Sequence, residues 1–297
     1  RQKKIILRQK YKEKKNYSNK IEKNIILSQD VAKIISDHMA KHKKPTKIED
    51  FGYYLAGLIE GDGNFSKCHS ISICFHINDA PLAYYIKKRI GYGIVRKIKN
   101  KNAIIYFSNI KGTVIIANLI NGKLRTNKID KFNNNIISYL NSKITIKNPL
   151  LIYPKDVSNL KNNYWLSGFS DADSSFQIKI LKIKERKLGF EIRLNYQLDQ
   201  KTKFILEQVK ELFGGYLGYR KSQDTYYFGT TSFESAKKVI IYFDKFHLLS
   251  SKHINFFKWR KAYRIIQRKE HLTIKGIEKI KKIKLSMNSY LKETLEL

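Results

Sequence analysis

An α+β fold built from two pseudo-symmetric repeats, each ordered α-β-β-α-β-β-α, is what this 297-residue chain predicts. Three observations lead there. A nine-residue motif of small and apolar residues closing on an acid occurs twice, at Leu55–Gly63 and Leu166–Ser174. The same glycine and lysine landmarks follow each copy in the same order. Between landmarks, stretches of alternating polarity exchange with stretches of helical period.

Residues 1–50 form a basic, helix-prone N-terminal extension punctuated by Pro45. The first repeat, 51–147, opens with YYLAGLIEGDGNFS (Tyr53 to Ser66), read as a short helix. Strands follow: Ser70, Ser72, Cys74 and His76 share one face, and Ile71, Ile73 and Phe75 the other. Pro81, after Asn78 and Asp79, marks a turn into the helix APLAYYIKKRIG, which Gly91 stops. A second strand pair and a closing helix complete the unit, with LRTNKIDKF (Leu124 to Phe132) near its end. Pro149 and Pro154 mark a linker, 148–163. The second repeat, 164–269, runs in parallel: YWLSGFSDADSSFQ (Tyr164 to Gln177), then Glu191, Arg193, Asn195 and Gln197 opposite Phe190, Ile192, Leu194, Tyr196 and Leu198. The helix KFILEQVKELFG, the glycine turn at Gly214 and LLSSKHINFF (Leu248 to Phe257) follow. The spacing between copies grows by about a dozen residues after the motif, which predicts one loop insertion within KILKIKERKLGFEIRL. Residues 270–297 are a C-terminal tail.

Antiparallel sheets with one apolar face should pack helices there and leave the polar face open. The open-face candidates are Asn64, Ser66, Cys68, Ser70, Ser72 and His76, with Ser175, Gln177, Lys179, Arg193, Asn195 and Gln197 in the second repeat. Amides, hydroxyls and basic groups of this kind can read base edges and grip phosphates.

The charge points the same way. Fifty-nine Lys and Arg against 25 Asp and Glu leave a formal charge of +34, spread along the whole chain and interleaved with apolar residues that make up 42% with the aromatics. Such self-repulsion is tolerable where a polyanion is the partner. No apolar run approaches the ~20 residues of a membrane span, so a membrane partner is not expected. Two cysteines make no disulfide framework. The chain opens at Arg1 without a secretory signal or an initiating Met, which suggests a processed piece of a longer polypeptide.

The motif carries the chemistry. Small residues at Ala56, Gly57 and Gly61, and at Ser167, Gly168 and Ala172, let two helices approach with backbones almost touching. Helices so paired about a pseudo-two-fold axis would bring Asp62 and Asp173 side by side at their C-termini. The two carboxylates repel each other and the helix dipoles, and a divalent cation would relieve both. Paired acids with shared divalent ions suit phosphodiester hydrolysis. Glu60 and Asp171 stand two residues earlier, so they point elsewhere and read as structural.

This motif pair resembles the LAGLIDADG homing endonucleases in their single-chain, two-motif form, over about residues 51–270; EHLTIKGIEKIKKIKLSMN (Glu270 to Asn288) is similar to the C-terminal segment of intron-encoded members. The resemblance implies a DNA-binding saddle of two sheets with the motif helices at the central interface. It implies Asp62 and Asp173 as metal-binding acids, the carbonyls of Gly61 and Ala172 as additional ligands, and Lys128 and Lys252 as basic catalytic residues. It further implies Mg2+, with Mn2+ or Ca2+ able to take the same sites. The function implied is double-strand cleavage of a long asymmetric DNA site by a monomer, leaving short 3′ overhangs. The setting implied is a mobile intron of a mitochondrion or other organelle. The alternative on the same fold is a maturase that binds its own intron RNA. Ser174 departs from the motif's glycine, which is expected to cost backbone freedom at the helix exit. Cys68, His69, Cys74 and His76 invite a zinc reading, but Cys68 and Cys74 would lie about 20 Å apart on an extended strand.

Overall fold

Two helices at the centre, α1 (Ile48–Asp62) and α6 (Trp165–Asp173), each lead directly into a four-stranded antiparallel sheet in this computed structural model. The structure describes residues 34–38, 41–143, 149–230 and 232–287. The chain divides into Arg1–His38 and Met39–Leu297, and both sheets with their helices belong to the second unit. Most of the basic N-terminal extension, and Asn288 with the tail beyond it, lie outside the described residues.

In the first repeat α1 is followed by β1 (Gly63–Phe65), β2 (Ile71–His76), α2 (Ala80–Ile90), β3 (Ile94–Lys97), β4 (Ala103–Phe107) and α3 (Ile110–Ile120). Two short helices, α4 (Lys128–Phe132) and α5 (Ser138–Lys143), close it, joined through a π-helical turn at Asn133–Ile137. In the second, α6 is followed by β5 (Ser174–Lys182), β6 (Phe190–Gln200), α7 (Phe204–Phe213), β7 (Tyr216–Arg220), β8 (Thr225–Gly229), α8 (Phe233–Lys245) and α9 (Lys252–Gln267); α10 (Ile274–Ser286) comes last. The sheet orders are the same, β1-β2-β4-β3 and β5-β6-β8-β7. The predicted α-β-β-α-β-β-α order is present in both halves, and each carries one more helical segment than predicted. α3 and α8 separate the fourth strand from the lysine-bearing segment.

The local reasons are visible residue by residue. α2 has Pro81 in its first turn, Lys87, Lys88 and Arg89 in its last, and ends at Gly91 with φ +80°. Asn109, Ser232 and Thr273 cap α3, α8 and α10 by accepting from Gly112, Ser235 and Gly276 backbone N–H groups. The inserted residues do more than lengthen a loop: β5 and β6 span 9 and 11 residues where β1 and β2 span 3 and 6.

β2 alternates as predicted, whereas β6 is buried on both faces from Leu194 to Leu198. Ile71, Ile73 and Phe75 are buried under the helices, as are Leu194, Tyr196 and Leu198. Phe176, Tyr196, Phe243, Phe256 and Trp259 form one aromatic cluster between the second sheet and α8 and α9. α9 therefore spends its aromatics on the core. The segment after residue 270 is not all loose tail, since α10 buries Ile277 and Ile280. Among the described residues, no helix is long and apolar enough to cross a membrane.

Candidate active site

The motif helices touch backbone to backbone. A methyl group on Gly57 would sit 1.9 Å from the Trp165 carbonyl oxygen, and one on Gly168 would sit 1.9 Å from that of Tyr54. One on Gly61 would lie 2.1 Å from Ala172 Cβ and 3.5 Å from Asp173 Oδ2. The small residues therefore have a shape reason, and the contact is reciprocal, as a pseudo-two-fold axis requires. It brings the last residues of both helices, Asp62 and Asp173, to one place.

Each helix is locked across the axis by its sixth motif residue. Glu60 is buried and accepts from the backbone N–H groups of Arg125 and Thr126 and from Trp165 Nε1 of the opposite helix, at 2.5 to 2.9 Å. Asp171 is buried and accepts from Leu249 N and Ser250 Oγ, and from Tyr54 of the opposite helix at 2.7 Å. Desolvation pushes both carboxyls up, opposed by those same hydrogen bonds. Glu60 and Asp171 thus hold the loops that precede α4 and α9. Those loops start the helices with Lys128 and Lys252, whose backbone N–H groups are received by Thr126 Oγ1 and Ser250 Oγ at 3.2 Å. Thr126 and Ser250 stand at the same spacing before their lysines, a signal in the sequence beyond the landmarks named above.

The half-buried lysine side chains turn back onto the motif helices. Lys128 Nζ donates to the carbonyls of Gly61 and Gly63, both at 2.8 Å, and of Ile59 at 3.2 Å. Lys252 Nζ donates to Ala172 O at 2.5 Å and Ser170 O at 3.3 Å. Both ammonium groups thus seat on the seventh-position carbonyls beside the acids. Desolvation lowers both lysine pKa values, and the acids oppose it, Asp173 foremost at Lys128 and Asp171 at Lys252.

Asp62 reaches solvent on one side, yet protein surrounds the rest of it; desolvation first and the Asp173 charge second push its carboxyl up to about 6. Asp173 is raised too, by desolvation, with Gln200 Nε2 donating to its Oδ2 at 2.8 Å to hold it down. No feature of the sequence singles out Gln200. By register its counterpart in the first repeat is Phe75, so that position offers Asp62 no amide. The donor set fits a divalent metal: two neighbouring carboxylates whose pKa values are raised chiefly by desolvation, and two carbonyls each with a second lone pair beyond the lysine bond. Ser174 costs nothing at the helix exit, contrary to expectation. Its φ is −97°, close to the −95° of Gly63, and its hydroxyl donates to Ser170 O at 2.7 Å.

The open faces of the sheets hold most of the predicted contact residues. Asn64 pairs with Ser72, and His76 follows on the same face. Ser175 pairs with Gln197, Gln177 with Asn195 and Lys179 with Arg193. The structure corrects five of the assignments. Ser66, Cys68 and Ser70 lie in the turn between β1 and β2, where Ser66 and Ser70 hydrogen-bond each other, because β2 starts only at Ile71. Asn195 and Gln197 are buried, with Asn195 Nδ2 donating to Gln177 and Gln197 Oε1. Arg193 remains on the open face, paired there to Glu191 at 2.5 Å, as Arg220 is to Asp199 at 2.7 Å. The register adds Arg96 and Arg220 to the same faces, on outer strands whose pairing the sequence does not announce. The zinc reading has no geometry behind it. Cys68 and Cys74 are free and exposed, His69 bonds Asn135 O and stacks on Tyr139, and His76 accepts from Asn78 N.

The chain has relatives among known proteins. The family profile described as LAGLIDADG endonuclease matches residues 166–263. An uncharacterised cox1 intron-2 37.2 kDa protein of Schizosaccharomyces pombe is 53% identical over 269 residues, covering 90% of this chain and 82% of that one. The intron-encoded DNA endonuclease aI3 of Saccharomyces cerevisiae is 30% identical, covering 73% of this chain and 64% of its own length. The intron-encoded RNA maturase bI4 of the same yeast is 29% identical over 182 residues, with 26% of it covered. The chain thus spans most of the first relative and less than two thirds of the other two. Among solved structures, the I-LtrWI LAGLIDADG homing endonuclease bound to target DNA aligns with a TM-score of 0.63 at 21% identity, covering 82% of this chain and 99% of that one.

Proposed function

The chain belongs to the LAGLIDADG endonuclease family, and from that premise we propose that it is a site-specific homing endonuclease that cuts both strands of a long, asymmetric DNA site as a monomer. The observation that carries this reading is the convergence of Asp62 and Asp173 at one point of the interface, with a lysine seated beside each. Asp62, Asp173 and the carbonyls of Gly61 and Ala172 would hold Mg2+, with Mn2+ or Ca2+ as substitutes. The bound ion would supply an activated water and neutralise charge at the leaving oxygen. Lys128 and Lys252 place ammonium groups next to the acids, where negative charge grows on the scissile phosphates. The polar sheet faces, Asn64, Ser72, His76 and Arg96 on one and Ser175, Gln177, Lys179 and Arg220 on the other, would track the major groove. Cuts across the minor groove would leave short 3′ overhangs. Its fungal intron-encoded relatives support a mitochondrial setting.

A maturase role rests on the likeness to bI4 alone. Both acids are kept here, which favours cleavage. The test is incubation of the protein with DNA spanning the intronless cox1 junction, with and without Mg2+. Double-strand cleavage is expected only with Mg2+, and Asp62→Asn or Asp173→Asn should abolish it while DNA binding persists. An Asp62→Asn protein that cuts both strands at the normal rate would remove the assignment. Restored intron splicing by the double Asn variant would establish the RNA role.

A further inference from the structure

Away from the acids, three histidines from two distant parts of the chain meet. His42 lies on the segment before α1, His247 on the loop after α8, and His253 in the first turn of α9. One ligand nitrogen from each lies within 4.8 Å of the others, and no other such group of His, Cys, Asp or Glu occurs among the described residues. Their rings are close, with centroids 4.2 Å apart for His42 and His253 and 5.4 Å for His42 and His247.

The hydrogen bonds already set two tautomers. A carbonyl can only accept, so His42 Nε2 must donate to Leu248 O at 2.8 Å, and His247 Nε2 to Asp244 O at 3.0 Å. That leaves the Nδ1 lone pair of His42 as the one available for a ligand bond. His247 Nδ1 accepts from Lys43 N at 3.2 Å, a bond that an ion at this nitrogen would have to displace. Metal-binding histidines have this same arrangement, one ring nitrogen donating to a backbone carbonyl and the other left for the ion. His253 is the third piece. It is 9% exposed, and neither of its ring nitrogens has a hydrogen-bond partner among the described residues. A buried imidazole with no partner is costly unless something accepts or uses its lone pair.

We propose that His42, His247 and His253 form a zinc site, with water as the fourth ligand. Three neutral imidazoles suit Zn2+ better than the hard ions expected at the acids. Burial and mutual proximity keep His247 and His253 below the ordinary histidine pKa, so both are neutral ligands at neutral pH. Drawing the nitrogens in to the ~3.4 Å spacing of a tetrahedral ion with Zn–N of about 2.0–2.1 Å takes small ring movements. His42 sits on a segment with neither helix nor strand, held to the loop after α8 by its Nε2 bond to Leu248 O. The ion would clip residues 41–44 to the loop that seats Lys252, immediately before His253.

The test uses the full chain, stripped of metal and held in excess Mg2+ to occupy the acid pair. Titration with Zn2+ is expected to show one ion per chain, a Tm rise by mass action, and with Co2+ substitution the visible bands of a tetrahedral site. His42→Ala, at an exposed position, should fold normally and weaken Zn2+ by more than about 100-fold, beyond the effect of losing an outer-shell partner. His253→Phe should do the same while filling the buried space, and Asp62→Asn should leave Zn2+ binding unchanged. Equal Zn2+ affinity in wild type and His42→Ala, or binding lost with Asp62→Asn instead, would overturn the proposal.

Discussion

At the residue scale, the sixth and eighth motif positions carry carboxylates with opposite jobs. Glu60 and Asp171 turn inward and are saturated with hydrogen bonds, while Asp62 and Asp173 end their helices facing each other. The Asp62 carboxyl is pushed up to about 6, above the unfolded value near ~3.9. Such a group favours the fold below its unfolded pKa and loses that contribution as pH rises through about 6. With metal chelated, Asp62→Asn should therefore melt above wild type at about pH 8 and level with it at about pH 4. A Tm gap that does not change with pH would contradict that origin. Lys252 makes a second prediction. Its ammonium touches Ala172 O and stands beside both acids. Lys252→Met should slow cleavage by about 10²-fold or more while changing DNA affinity little, read from single-turnover rates and a binding titration. Equal losses would make it a phosphate anchor only.

At the scale of the element, the α1 and α6 contact sets the distance between the two acids. It has no room for a side chain, because Gly168 meets the Tyr54 carbonyl and Gly57 the Trp165 carbonyl. Gly168→Ala must push backbone against backbone, so a loss of about 3 kcal/mol or more is expected, above the usual range for overpacking. Denaturant unfolding would measure it, and a loss under ~0.5 kcal/mol, the range of ordinary surface changes, would show the helices are not in this contact. Elements also explain why the lysines were legible while their settings were not. Lys128 and Lys252 each open a helix, which by itself describes a solvated position. Only the loops pinned by Glu60 and Asp171 turn those side chains back to the motif carbonyls.

At the scale of the molecule, two sheets of the same order carry different side chains. The first face presents Asn64, Ser72 and His76, and the second Ser175, Gln177, Lys179 and Arg220, with a much longer β5 and β6 hairpin. Selection of cleaved sites from a random library should therefore return two unlike half-sites; perfect palindromes would contradict different reading by the halves. The repeat, the alternating strands, the glycine stops and the paired acids could all be read from the chain, because each depends on local spacing or on one motif occurring twice. Small residues at Gly57, Gly61, Gly168 and Ala172 even announced the close helix contact. The burial of Asn195, the amide that Gln200 offers Asp173, and Arg96 and Arg220 on the open faces could not be read. Each depends on strand register between segments far apart in sequence, and β4, AIIYF, is apolar on both faces and so shows no alternation. The meeting of His42 with His247 and His253 is the extreme case. No spacing in the sequence relates them, and only the path of the segment before α1 past the loop after α8 brings their rings together.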